Sequence, residues 1–273
     1  MTETTIFTGS DLAERLKQNI KTRVTAIGRS PRCNLFIDSS NAGASAYAQR
    51  LAGSAASVGI DVVMQEYAES AGELRRQLQE EADAVMALYP IPSFIDREEV
   101  AELIGPDRDV DGQHPLNAGN LALGIQGYRP AATARACVLV MGEIMGSLKG
   151  RRVVVVGASP VVGRPLALMV LEMEATVTVC HAATVDLASQ TREADIVVSA
   201  TGVAGLIKAE HIREGAILLD VGIVRTEKGL VGDVDLDSVG GKAALVTHVP
   251  DGVGPVTTAC LLANIVAAAE ARS

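Results

Sequence analysis

Four consecutive valines, Val153 to Val156, lead directly into Gly157-Ala158-Ser159-Pro160-Val161-Val162-Gly163-Arg164-Pro165. This junction limits what the chain can fold into more than any other stretch. A short β-branched run without polar alternation reads as a strand buried on both faces, as in a parallel sheet. Leu166 to Met173 is then apolar at helical spacing, and Thr176 to Val179 is a second β-branched run. Strand, glycine turn, helix and strand together form the unit that holds a dinucleotide. The glycines let the backbone approach a pyrophosphate at a helix N-terminus, where free N–H groups and the helix dipole favour an anion. The spacing is G-x-S-x-x-x-G-x-P rather than G-x-G-x-x-G, so the turn taken alone also fits any tight βα connection.

The rest of the chain agrees with this start. Its 273 residues suffice for two domains, each with its own core. Hydrophobic residues make up 48% but aromatics only 3%, so the core must be aliphatic, which suits helices on a parallel sheet. A net charge of -9 argues against nucleic acid or an anionic membrane as partner. The N-terminus is polar and mixed in charge, unlike a signal peptide, and no apolar stretch is expected to reach the length needed to span a bilayer. Cys33, Cys137, Cys180 and Cys260 are too scattered for a zinc site or a disulfide framework, and no metal is expected. A cytoplasmic protein is the expectation, with Cys180 and Cys260 as buried thiols.

In order along the chain, helices are expected over residues 10–20, 41–58, 68–82 and 96–104, and strands over 34–37, 60–64 and 84–88. Residues 105–130, rich in Gly, Pro, Asp and Asn, read as a functional loop. A linking helix follows over 133–150, then the nucleotide lobe over 151–254, with strands at 196–200, 217–221 and 245–249. A final helix over 255–273 is expected to pack back on the first lobe, residues 1–132. Asp233, Asp235 and Asp237 read as a solvated edge.

Four motifs in order now resemble one family. Asp109-Val110-Asp111-Gly112, with His114-Pro115 and Asn117-Ala118-Gly119, is similar to its D-V-D-G loop. Gly157 to Pro165 is similar to its cofactor turn. Asp220-Val221-Gly222-Ile223 with Gly232-Asp233-Val234 is the third match. Val249-Pro250-Asp251-Gly252-Val253-Gly254-Pro255 with Thr257 is similar to its P-G-G-V-G-P-x-T. The chain thus resembles the bifunctional methylenetetrahydrofolate dehydrogenase/cyclohydrolase family over nearly its whole length.

The resemblance implies two α/β lobes, the C-terminal one a Rossmann-like parallel sheet, with an active-site cleft between them, and a homodimer. It implies hydride transfer from 5,10-methylenetetrahydrofolate to NAD or NADP. It places Tyr47 and Asp111 at the chemistry, Asp111 accepting N–H donors from the pterin and Tyr47 lying over the substrate. Pro250, Gly252, Gly254 and Pro255 join them on the folate. Gly157, Ser159, Val162, Gly163, Arg164, His181, Thr201, Gly202, Gly222 and Ile223 fall to the nucleotide. On residue chemistry alone, Asp111 also fits an Asx-turn, Tyr47 fits core packing, and His181 reads as a loop hydrogen-bonder.

The departures from the family pattern carry their own expectations. Its Y-x-x-x-K helix, whose lysine is credited with cyclohydrolase chemistry, has Leu51 at the lysine position. Arg50 lies about 100° away around the helix. Its V-Q-L-P-L-P strand becomes Ala87-Leu88-Tyr89-Pro90-Ile91-Pro92, so Leu88 replaces the glutamine. Leucine neither transfers a proton nor orients a water, and hydrolysis needs an activated water where hydride transfer does not. A dehydrogenase with weak or absent cyclohydrolase activity is therefore expected. Asp251 in place of glycine, and Pro130-Ala131-Ala132-Thr133 in place of P-C-T-P, keep open a different one-carbon carrier. The losses at 51 and 88 keep open a non-catalytic nucleotide-binding paralogue. With His181-Ala182-Ala183-Thr184 for H-S-x-T, and Ala158 where some members have arginine, the choice of cofactor leans to NAD.

Overall fold

The computed structural model describes residues 3–227 and 229–272. The chain forms two compact units: Glu14–Ala132 with Thr258–Ser273, and Met1–Ala13 with Thr133–Thr257. Along the chain the first elements are β1 (Thr5–Phe7), α1 (Ser10–Ile27), β2 (Arg32–Ile37), α2 (Ala42–Ala56), β3 (Asp61–Glu66), α3 (Ala71–Leu78), β4 (Ala84–Ala87), α4 (Arg97–Ile104) and α5 (Pro115–Leu123). Then come α6 (Ala132–Met145), β5 (Arg152–Val156), α7 (Gly163–Glu172), β6 (Thr176–Cys180), α8 (Leu187–Thr191), β7 (Ile196–Ser199) and β8 (Ile217–Asp220). The chain closes with β9 (Val224–Thr226), β10 (Gly229–Val231), α9 (Leu236–Val239), β11 (Leu245–Thr247) and α10 (Val253–Glu270).

In the first unit, β2 lies between β3 and β4 and runs parallel to both. Only its first residue is exposed, so Cys33 to Ile37 are buried whichever face they point to. Phe36 packs with Leu74, Leu78, Val85 and Val100 from α3, β4 and α4. Tyr67 stacks on Phe36 at 6.1 Å between ring centroids and donates its hydroxyl to the Leu88 carbonyl oxygen at 2.7 Å, which fixes the chain just past β4. Helix α2 starts where Asn41 accepts from the Ala44 N–H at 2.9 Å.

The second unit carries a six-stranded parallel sheet in the order β1-β11-β8-β7-β5-β6, with β9 and β10 as a separate antiparallel pair. Val154, Val156, Val197, Leu218 and Val246 form its core. The connection from β5 goes to β6 on one side and then returns to β7 on the other, so the sheet has its switch point at the carboxyl ends of β5 and β7.

Three sequence expectations need correction. Residues 1–13 do not belong with the N-terminal lobe. Thr5–Phe7 pairs in parallel with Leu245–Thr247, and this long-range pairing leaves no signal in so short a strand. The 105–130 loop contains α5, which has Pro115 at its first turn, His114 as cap and Gly124 as left-handed terminator. Finally, one helix, Val253–Glu270, is long and apolar enough to cross a membrane by length and composition. It is instead a core helix: Val256, Leu261, Ile265 and Val266 are fully buried, and Asn264 donates to the Val110 and Pro130 carbonyls at 2.8 Å each.

Candidate active site

The first unit gathers Tyr47 and Asp111. Asp109, itself buried, organises the loop around them. One of its carboxylate oxygens accepts from His114 N–H at 2.7 Å and Asn117 Nδ2 at 2.9 Å, and the other from Asp111 N–H at 3.2 Å. Gly112 has φ 68°, and a side chain there would strike the backbone of Arg129 and Ala131. The loop is thereby pinned on both sides, and among the described residues no donor reaches the Asp111 carboxylate. Burial pushes the Asp111 carboxyl up to about 7, and the neighbouring Asp109 charge adds to this. Tyr47 projects from α2 and feels the Asp111 charge. Burial is the larger cause of its raised pKa, Asp111 adds to it and Arg50 opposes it. Its phenol therefore stays protonated at neutral pH.

Leu51 lies one turn beyond Tyr47 and is 2% exposed, while Arg50 points to solvent. Leu88 is also buried. Neither position offers a group that could activate water.

In the second unit the glycine turn sits at the switch point. Gly157 has φ 109°, and a Cβ on it would strike the Ala200 carbonyl at the end of β7. A Cβ on Gly163, the first residue of α7, would fall on the Gly157 carbonyl oxygen. Ser159 Oγ accepts from Val162 N–H at 3.2 Å, and the Arg164 N–H donates to the Ser159 carbonyl at 3.0 Å. Arg164 also donates through Nε to the Ala158 carbonyl at 3.0 Å, its side chain exposed. His181 is exposed past β6, where its Nδ1 accepts from Ala183 N–H at 3.2 Å.

The loops after β7 and β8 form the other wall. Thr201 donates both N–H and Oγ1 to Asp233 at 2.7 and 2.8 Å, and Val203 N–H donates to its other oxygen at 3.0 Å. The Asp233 carboxylate also takes Ser199 Oγ at 2.8 Å and lies where a Gly222 side chain would be. Gly202 is exposed, and Val203 and Ile223 leave apolar side chains exposed on these loops. Pro250, Gly252, Gly254 and Pro255 belong to this second unit, and Tyr47 and Asp111 to the first. Gly252 donates to the His248 carbonyl at 2.6 Å. Asp251 keeps an ordinary backbone conformation, so glycine is not required there; its exposed carboxylate lies 3.6 Å from His248 Nδ1.

Comparison with known proteins agrees with this fold. The family model for the tetrahydrofolate dehydrogenase/cyclohydrolase catalytic domain matches residues 7–111, and that for its NAD(P)-binding domain matches residues 131–273. The chain belongs to the tetrahydrofolate dehydrogenase/cyclohydrolase family. It is similar to the bifunctional protein FolD of Nocardia farcinica, at 43% identity over 98% of both chains. It is similar in structure to the bifunctional FolD of Campylobacter jejuni, at 33% identity and TM-score 0.93, covering 99% of this chain and 100% of that one. The FolD of Trypanosoma brucei, complexed with NADP and an inhibitor, matches at 31% identity and TM-score 0.92, covering 100% and 99%.

Within this member of the tetrahydrofolate dehydrogenase/cyclohydrolase family, the residues present fit a dinucleotide. Two glycines that admit no side chain, at the switch point and the start of a ten-residue helix, make a cradle for a pyrophosphate. The reading of Asp233 as a solvated edge is overturned: it is fully buried and accepts four hydrogen bonds. The pairing of Asp220-Val221-Gly222 with Gly232-Asp233 was the available signal, since each glycine leaves room for the other segment's carboxylate. Asp235 caps α9 through Ser238 N–H, and Asp237 is exposed.

Proposed function

We propose that this protein is an NAD(P)-dependent methylenetetrahydrofolate dehydrogenase with weak or absent cyclohydrolase activity. The observation that carries this reading is a contrast within the first unit. Among the described residues the Tyr47 hydroxyl and the Asp111 carboxylate have no hydrogen-bond partner, while Leu51 and Leu88 are buried and inert. Asp111, ionised, would accept paired N–H donors from the pterin and orient it. Tyr47 would lie over the substrate as an aromatic surface that excludes water. Gly157, Ser159, Val162, Gly163 and Arg164 would hold the dinucleotide's phosphates, with Thr201, Gly202, Gly222, Ile223 and His181 along the same sheet end. When bound, the nicotinamide supplies the hydride acceptor. Hydride loss from the methylene bridge is assisted by the substrate's own nitrogens, so the protein's contribution is positioning. Hydrolysis of the methenyl product would need a base, and neither position 51 nor position 88 offers one.

The lean toward NAD finds no support in the relatives: the Trypanosoma brucei enzyme was solved with NADP. The residues after β6 supply no Lys or Arg for a 2′-phosphate, and the choice falls to experiment. The assay supplies 5,10-methylenetetrahydrofolate with NAD⁺ and NADP⁺ in parallel. Reduction of either supports the reading and names the cofactor; reduction of neither refutes it.

A further inference from the structure

Beyond Ala87, the last residue of β4, the next two side chains have different fates: Leu88 is buried and Tyr89 is 48% exposed. The Tyr89 ring lines a crevice with Arg97, Asp111 and Gln113, over a floor that includes Val85 and Ala101. Among the described residues, the Tyr89 hydroxyl, the Arg97 guanidinium and the Asp111 carboxylate have no hydrogen-bond partner. The contrast with Tyr67 is direct, since that phenol is spent on the Leu88 carbonyl. Tyr89 is half-exposed and Arg97 partly exposed, so water serves both, whereas the Asp111 carboxylate is desolvated without a donor. A few convergent polar groups over an apolar floor are the make-up of a ligand site. Burial raises the pKa of the Tyr89 phenol, Arg97 opposes the shift and Asp111 adds to it, so both charges reach the hydroxyl and it remains a donor at neutral pH.

We propose that Tyr89 is a substrate-contacting, specificity-determining residue whose ring adds a second aromatic surface to that of Tyr47 for a planar 2-amino-4-oxo heterocycle. Its hydroxyl, with Arg97, serves the carbonyl side of the ring edge whose N–H donors Asp111 accepts. Such an edge has donors and an acceptor side by side, and the crevice offers an acceptor and donors to match. The inference rests on the reading of the substrate as a reduced folate. Tyr89 does not replace the lost glutamine, because Leu88 occupies that position and is buried.

The test compares Tyr89→Leu and Tyr89→Phe with the unaltered protein. Leucine is the residue of the V-Q-L-P-L-P pattern at this position, so folding is expected to survive. Calorimetry with 5-formyltetrahydrofolate reads binding without turnover, and steady-state rates give KM for the methylene substrate and for the nucleotide. Tyr89→Leu is expected to weaken binding of the probe and raise the folate KM by about tenfold, with kcat and nucleotide KM little changed. Tyr89→Phe is expected to lose about threefold. Unchanged folate affinity in Tyr89→Leu, or equal loss for folate and nucleotide, overturns the proposal. If the unaltered protein binds the probe without reducing any nucleotide, weakened binding in Tyr89→Leu still supports Tyr89 while the dehydrogenase reading fails. If it binds no folate at all, both fall.

Discussion

Each unit builds its candidate site on a pair of aspartates and uses the pair differently. In the nucleotide unit both acids are saturated. Asp233 accepts four hydrogen bonds, and Asp220 accepts from the N–H groups of Asp233 and Val234 at 2.9 Å each. Burial raises the Asp220 carboxyl to about 6, with those donors working against the rise. In the other unit only Asp109 is saturated, and it holds the loop so that the Asp111 carboxylate is desolvated with, among the described residues, no donor of its own. The difference separates scaffolding from reception. A buried carboxylate with its donors in place fixes a loop; one left without donors is energetically costly, and a ligand's N–H groups relieve that cost.

Substitutions should therefore have opposite signs in the two units. The largest effect is expected for Asp233→Ala, which strands four donors between the loops after β7 and β8. Unfolding by denaturant should show a loss of about 3 kcal/mol. Next, Asp111→Ala should weaken folate binding about a hundredfold and leave nucleotide binding nearly intact. Equal loss of both would remove Asp111 from the pterin role. Smaller and of the opposite sign, Asp111→Asn should stabilise the protein at about pH 8 and do little at about pH 4. The sign follows from linkage. The folded carboxyl titrates near 7, against an ordinary value of about 3.9, so the native state holds the extra proton between these values. Stability due to this group is then lost as pH rises through that window. The same titration predicts a folate KM that rises about tenfold per pH unit below about 7, because only the carboxylate accepts two donors.

The central βαβ unit was legible because a buried parallel strand, a glycine turn and an amphipathic helix each leave a local pattern. The loss at 51 was legible because helix geometry fixes which residue follows Tyr47 by one turn. Three features were not legible. Strand β1 is three residues long and earns its place only by pairing with residues 240 positions away. Helix α5 has Pro, Gly and two Asn among its nine residues, so its weak propensity hid good capping chemistry. Asp233, Asp235 and Asp237 alternate as a solvated edge would, although only Asp237 is exposed. The Asp233 donors come from the end of β7 and the loop after it, 30 to 34 residues earlier.

The smallest expected effect is at the inert positions. Leu51→Lys combined with Leu88→Gln should raise methenyl hydrolysis above that of the unaltered protein, at some cost in stability because both sites are buried.

The most direct measurement is the ratio of two rates in one preparation: nucleotide reduction with 5,10-methylenetetrahydrofolate, and hydrolysis of 5,10-methenyltetrahydrofolate above the buffer background. The account predicts reduction with hydrolysis indistinguishable from background. Hydrolysis at a rate comparable to reduction would contradict it, and would require a water-activating group other than the side chains at 51 and 88.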